Sequence, residues 1–134
     1  MNKQEVFNQL AQHLFQQNER SMTLSEGGAL ICAYRTKDAE PLKCAVGKFI
    51  PDALYSRKME NVSANGVLFE QFPELIEPLT IEDAHRVFWS VAQSVHDRGS
   101  SWESTAHMRT ALNELATEFE IDASIVETLS FKDR

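Results

Sequence analysis

The sequence predicts a helix-rich α+β domain in which a short antiparallel β-hairpin packs on three main helices. Two observations support this fold class. Apolar residues recur at helical spacing in both halves of the chain, and two short apolar runs near the middle are separated by a turn-forming linker. The length of 134 residues suits one domain of ordinary size, so we expect residues 1–134 to form a single globular unit.

Two of the main helices are marked by their apolar stripes and by their first residues. The first is predicted over about residues 3–17, where the apolar positions leave Gln and Asn on the opposite face. The second is predicted to begin near Thr80 and to run to about His96. Thr80 followed by Asp83 resembles a capping box with Asp in place of Glu.

The rest of the second half carries further helix-start signals. Ser100 with Glu103 is an S-x-x-E capping box and predicts the start of the third main helix. Asp122 can cap a last short helix that ends near Leu129. Prolines and an Asn-Gly pair interrupt residues 56–79, where short helical turns are expected.

The hairpin is predicted from two apolar runs. Residues 29–34 and 42–46 have strand-like composition, and the polar linker between them suits a hairpin loop. Pro51 follows the second run and can open a helical turn through Tyr55. An isolated hairpin is marginally stable, so we expect it to pack against a helix.

The formal net charge of −7 narrows the classes of partner. Proteins that bind nucleic acid usually present a basic face, so direct binding to nucleic acid is not expected. An acidic chain suits a partner with a basic surface or imitation of DNA, although ordinary solubility also explains the charge. The acidic residues considered for DNA imitation are Glu70, Glu74, Glu77, Glu82 and Asp83.

The sequence also favours a cytoplasmic protein. No apolar run approaches the roughly 18 residues of a membrane span, and the amino terminus lacks the apolar block of a signal peptide. Cys32 and Cys44 fit reduced thiols in such a compartment better than a disulfide framework.

Cys44 could act as a nucleophile, with His96 as the base and Asp97 orienting it. Cys44 lies within a predicted strand, however, and lacks the strand-to-helix elbow that exposes a nucleophile, so core packing is the simpler explanation. A metal site built from Cys32, Cys44 and either His85 or His96 lacks the ligand spacing typical of zinc sites. No metal and no cofactor is therefore predicted.

Other polar and aromatic residues are candidates for contact with a partner. His85, His96 and Trp89 are predicted to share one side of a helix, where they could line a groove or pack at its boundary. A second group lies at the strand ends and around the Ile-Pro-Asp turn, where the alternative is a local hydrogen-bond network. The candidates in this group are Tyr34, Arg35, Asp52 and Tyr55.

These residues resemble a family of small uncharacterised proteins from bacteriophages, prophages and bacterial genomes. The family pattern is C-x-Y-R, then C-A-[IV]-G-x-x-I-P-D and a tyrosine, which correspond to residues 32–35, 44–52 and Tyr55. A later I-H-D and a tryptophan are similar to residues 95–97 and Trp102, so Trp102 joins the partner-binding candidates. Lys48 departs from the small residue or second cysteine expected at its position. The resemblance implies a phage or prophage setting and no particular reaction.

Two functions follow as hypotheses. The first is a phage-type accessory protein that binds and modulates a host protein in the bacterial cytoplasm, of which an inhibitor of a host defence system is one instance. The second is a small cysteine-dependent hydrolase or transferase that uses Cys44, His96 and Asp97.

Overall fold

A computed structural model describes residues 1–132, which form four α-helices and one two-stranded antiparallel sheet. In chain order the elements are α1 (Lys3–Gln17), β1 (Met22–Leu24), β2 (Leu30–Cys32), α2 (Gly66–Gln71), α3 (Val87–Asp97) and α4 (Thr105–Glu118). Short 3₁₀ turns occupy Gly47–Phe49, Arg57–Met59, Pro73–Leu75, Gly99–Trp102 and Ser124–Thr128. The predicted helix-rich α+β fold is confirmed.

Helix α1 has the predicted bounds. The side chain of Asn2 caps it by accepting a hydrogen bond from the Glu5 N–H at 2.9 Å. Asn18 ends the helix in the left-handed region with φ of 64°. The buried face consists of Val6, Phe7, Leu10, Ala11, Leu14 and Phe15.

Helices α3 and α4 begin later than predicted. The Thr80 hydroxyl donates back to the Ile76 carbonyl at 2.6 Å instead of capping a helix, and α3 starts at Val87. The cap of α4 is Ser104, whose hydroxyl accepts a hydrogen bond from the His107 N–H. The predicted box at residues 100–103 lies instead in the 3₁₀ turn before it.

The hairpin is present, but its strands differ from the prediction. β1 pairs with β2 in the register Met22↔Cys32 and Leu24↔Leu30, so the first predicted strand is the second strand of the sheet. Residues 42–46 make only a single bridge, between Arg35 and Lys43. A one-residue bridge leaves the rest of this segment free to turn into the 3₁₀ helix that follows.

Side chains of α1 take the place of a strand next to residue 43. The Lys43 N–H donates to the side-chain oxygen of Gln17 at 2.8 Å. Its carbonyl accepts hydrogen bonds from Gln17 Nε2 and His13 Nε2, both at 2.9 Å. With these backbone groups satisfied by side chains, no further ladder is needed here.

The core forms where α1, α3 and α4 meet the irregular middle of the chain. Trp89 of α3 is buried against Phe49 and Phe88, with ring centroids 5.2 and 5.7 Å away. Its indole N–H donates to the Leu79 carbonyl at 2.8 Å. The irregular segment is therefore held to α3 by both packing and a buried hydrogen bond.

Candidate functional site

The C-x-Y-R and I-P-D motifs meet at the Arg35 side chain. One terminal nitrogen of Arg35 pairs with Asp52 at 2.8 Å, and the other donates to the Ile50 carbonyl at 2.7 Å. The guanidinium lies over the ring of Tyr55, 4.6 Å from its centroid. Arg35 is 8% exposed, so its charge interacts with groups of this chain and is hardly accessible to a partner.

Glu60 completes this network from the next segment. Its two carboxylate oxygens accept hydrogen bonds from the backbone N–H groups of Tyr34 and Arg35, at 2.9 and 3.1 Å. The Tyr55 hydroxyl donates to the same carboxylate at 2.5 Å. Burial and this contact raise the pKa of Tyr55. The group is thus a structural clamp that joins three segments, which fits the network alternative for these residues.

Of the clamp candidates, Asp52 and Tyr55 keep some exposure. The Asp52 side chain is largely exposed, and Tyr55 is half-buried. Tyr34 is buried and its hydroxyl donates to the Val62 carbonyl. Tyr34 and Arg35 therefore shape the scaffold and offer little area to a partner.

A second group of motif residues gathers at the end of α3. Potential ligand atoms of Cys32, His96 and Asp97 all lie within 4.8 Å of one another. His96 is fully buried, and its Nε2 accepts a hydrogen bond from the Ser21 backbone N–H at 2.9 Å. Nε2 therefore carries no proton, which places the ring proton on Nδ1. Nδ1–H then donates to Asp97 Oδ1 at 2.8 Å.

This arrangement leaves His96 without a free lone pair. A neutral imidazole has one accepting nitrogen, and Ser21 already occupies it. His96 is consequently unable to accept a proton from Cys32 or to bind a metal without first breaking the Ser21 contact. The cluster is a hydrogen-bond hub centred on the Asp97 carboxylate.

The thiol of Cys32 lies next to the hydrogen bonds of His96 and Asp97. Its sulfur lies 3.5 Å from the Met22 sulfur, and burial together with the Asp97 carboxylate raises the pKa of Cys32 to about 12. Catalytic cysteines need the opposite shift, since the thiolate is the nucleophile. The Cys32 thiol donates instead to the Met22 sulfur and lies beside the Asp97 carboxylate.

Cys44 occupies the core beside Gln93, whose side chain also donates to Asp97. It is fully buried and accepts a hydrogen bond from the Gly47 N–H at 3.3 Å. Burial raises its pKa to about 12. The structure thus brings Cys32, and not Cys44, within 4.8 Å of His96 and Asp97, and Cys44 packs in the core.

The structure places the four aromatic and histidine candidates in two groups, His85 with Trp89 and His96 with Trp102. Trp89 and Trp102 are buried, and the Trp102 indole donates to the His96 carbonyl at 2.8 Å. His85 precedes α3 and is exposed, and it lines a cavity of about 290 Å³ together with Trp89, whereas His96 is fully buried and does not line that cavity. Both tryptophans belong to the core, and Trp89 also contributes to the cavity beside His85.

Beside the hub lies a polar cleft made of two adjoining cavities, of about 160 and 200 Å³. Both are lined by Ser63, Ala64, Gln93 and Asp97. The first also includes Cys32, Tyr34, Asn61 and Val62, and the second Asn65, Ser90 and Ser94. Sequence reasoning missed the loop 61–65 because isolated Asn and Ser residues in a loop carry no spacing signal.

Comparison with protein-family models, with curated proteins and with solved structures finds no match to this chain. Within residues 1–132, none of the helices combines the length and the apolar character needed to cross a membrane.

Proposed function

We propose that this chain is a non-catalytic accessory protein of phage or prophage type that binds and modulates a host protein. An inhibitor of a host defence system is one instance of this class. The observation that carries the proposal is a pair of exposed leucines on the hairpin: Leu24 is 66% and Leu30 is 62% exposed. The resemblance of residues 32–35 and 44–52 to phage and prophage proteins supports the setting.

The two leucines form one apolar surface. Leu24 and Leu30 are directly opposite in the β1–β2 register, so their side chains lie on the same face. The connecting loop is held by a backbone hydrogen bond of 2.8 Å from the Ser25 N–H to the Ala29 carbonyl. Because this hydrogen bond already orders the hairpin loop, the loop loses little conformational entropy when a partner binds. Burying both leucines against a partner contributes about 3 kcal/mol or more.

The charge of this chain indicates which kind of partner surface would bind the hairpin. The net charge is −7, and Glu26 lies in the hairpin loop beside the leucines. The acidic residues Glu70, Glu74, Glu77, Glu82 and Asp83 are also exposed. The complementary partner has an apolar pocket surrounded by basic side chains, which also speeds association by electrostatic attraction.

The test compares two double variants that each replace two exposed apolar residues by serine. L24S/L30S removes the hairpin pair, and V67S/V87S removes two residues that are 41% and 50% exposed elsewhere. A partner captured from bacterial lysate with the unaltered protein is purified, and its affinity for each form is measured by calorimetry. We expect the hairpin variant to bind about 100-fold more weakly, and the control to bind like the unaltered protein. Equal binding by the hairpin variant would overturn the proposal.

The cysteine-dependent enzyme remains the second candidate, and the Cys32 hub beside a cleft is the observation that favours it. The shifted pKa values of both thiols count against it. Alkylation at neutral pH tests it in the C44S variant. We expect Cys32 to react more slowly than a free thiol, because the thiolate is disfavoured. Reaction faster than a free thiol, lost on changing His96→Ala, would instead support the enzyme.

A further inference from the structure

We propose that the cleft beside Asp97 binds the guanidinium group of an arginine side chain presented by the partner protein. This inference rests on the proposed function, and it names a second contact that the same partner makes. The cleft combines a carboxylate that lacks a cationic partner, several neutral hydrogen-bonding side chains and a position next to the exposed leucines.

The negative charge of Asp97 is not neutralised within residues 1–132 by a lysine or arginine. Its carboxylate accepts hydrogen bonds from His96 Nδ1 at 2.8 Å and from Gln93 Nε2 at 2.9 Å. Both donors are neutral, since the Ser21 contact fixes the uncharged tautomer of His96. The Asp97 side chain is 41% exposed, so an incoming cation can reach it.

Arg20 is the nearby cation, and it is directed elsewhere. Its terminal nitrogen donates to the backbone carbonyl of Asp97 at 2.9 Å, not to the carboxylate. The residues that line the two cavities include no lysine, arginine or histidine. Asp97 is thus the only charged side chain among the described residues that line the two cavities.

The other lining groups favour a guanidinium over an ammonium. Asn61, Ser63 and Ser90 also line the cavities and carry side-chain oxygens that can accept hydrogen bonds, whereas the Asn65 oxygen caps α2. A guanidinium carries five N–H donors in a planar fork and can satisfy several separated acceptors at once, whereas an ammonium is a compact point charge. The geometry therefore matches arginine better than lysine.

The cleft and the leucine pair are continuous along one face of the hairpin. Leu30 and Cys32 are two residues apart on β2, so their side chains lie on the same face, about 7 Å apart. Leu24 is opposite Leu30, and Cys32 lines the cleft. A single partner surface can therefore cover the leucines and insert an arginine beside Asp97.

The experiment titrates the isotopically labelled protein with blocked Gly-Arg-Gly peptide and follows amide shifts by NMR. We expect weak, roughly millimolar binding with shifts in residues 61–65 and 90–97. The matched peptide with citrulline is isosteric but neutral and should not bind. The D97N variant should weaken arginine binding at least about tenfold, while E40Q, a carboxylate outside the cleft, should leave it unchanged.

A second variant makes the result independent of any effect of D97N on the fold. S63F leaves the carboxylate in place and fills the cleft, so it should also abolish peptide binding while the thermal transition is retained. Equal affinity for arginine and citrulline peptides, equal affinity for a lysine peptide, or full binding by D97N would each overturn the guanidinium assignment.

Measurements with the purified partner separate this inference from the proposed function. If D97N binds the partner normally while L24S/L30S does not, the arginine site is wrong and the accessory function stands. If L24S/L30S binds normally, the hairpin interface is wrong whatever the peptide titration shows. Loss in both variants supports the continuous surface.

Discussion

At the scale of single residues, the tightest steric requirement is at Gly47. A Cβ at this position would lie 2.1 Å from the Tyr34 carbonyl oxygen and 2.9 Å from its carbon, both of which are backbone atoms. Gly47→Ala should therefore destabilise the protein by about 3 kcal/mol or more in chemical denaturation. Gly66→Ala is the control, because its Cβ would meet nothing within 4 Å. Similar stabilities for the two variants would contradict the close approach.

His13 gives a second prediction at this scale. Burial lowers the pKa of His13 from 6.5 to about 4, and its Nε2 donates to the Lys43 carbonyl. The unfolded chain binds the proton more readily than the folded protein. The contribution of His13 to the free energy of unfolding is therefore fully present above about pH 6.5 and falls as the pH drops towards 4. Below about pH 4 both states are protonated, and there is no further change. The loss is up to about 3 kcal/mol. Denaturation of the unaltered protein and of H13Q across this range measures it, and a constant difference between them would contradict the assignment.

At the scale of elements, the start of α4 distinguishes two serines. The Ser104 hydroxyl accepts from the His107 N–H at 3.1 Å, whereas Ser100 is exposed before the helix. Ser104→Ala should cost about 1 kcal/mol, and Ser100→Ala should change stability by less than about 0.5 kcal/mol. Urea denaturation of both variants measures the difference. A larger loss of stability in Ser100→Ala than in Ser104→Ala would instead identify Ser100 as the helix cap, as the S-x-x-E box predicts.

The elements also show what sequence can and cannot reveal. α1 was predictable because its periodicity and its polar ends are local properties. Residues 42–46 have a strand-like composition, but the partners of Lys43 are side chains of α1, which sequence spacing cannot reveal. The cleft is harder still, because it depends on a loop at 61–65 reaching α3. His96 and Asp97 were found as candidates, although the cysteine beside them was not the expected one.

At the scale of the whole molecule, contacts distant in sequence join residues near both ends of the described part of the chain to the rest of the fold. The Lys3 N–H donates to Asp83 at 2.7 Å, and Gln4 exchanges two hydrogen bonds with the backbone of Asp122. Val126 of the last 3₁₀ turn is fully buried in the same core as α1. Because core residues come from Val6 through to Val126, we expect the described part of the chain to unfold in one cooperative transition.

Cys44 provides the test of that cooperativity. Its thiol is fully buried in the core, and its pKa is raised to about 12, so reagent reaches it only when the core opens. In a C32S variant, the rate at which Cys44 is modified should rise with urea along the slope measured for global unfolding. The comparison is made with equilibrium denaturation of the same variant. A rate independent of urea would show that a local opening exposes Cys44, and the single cooperative core would then be wrong.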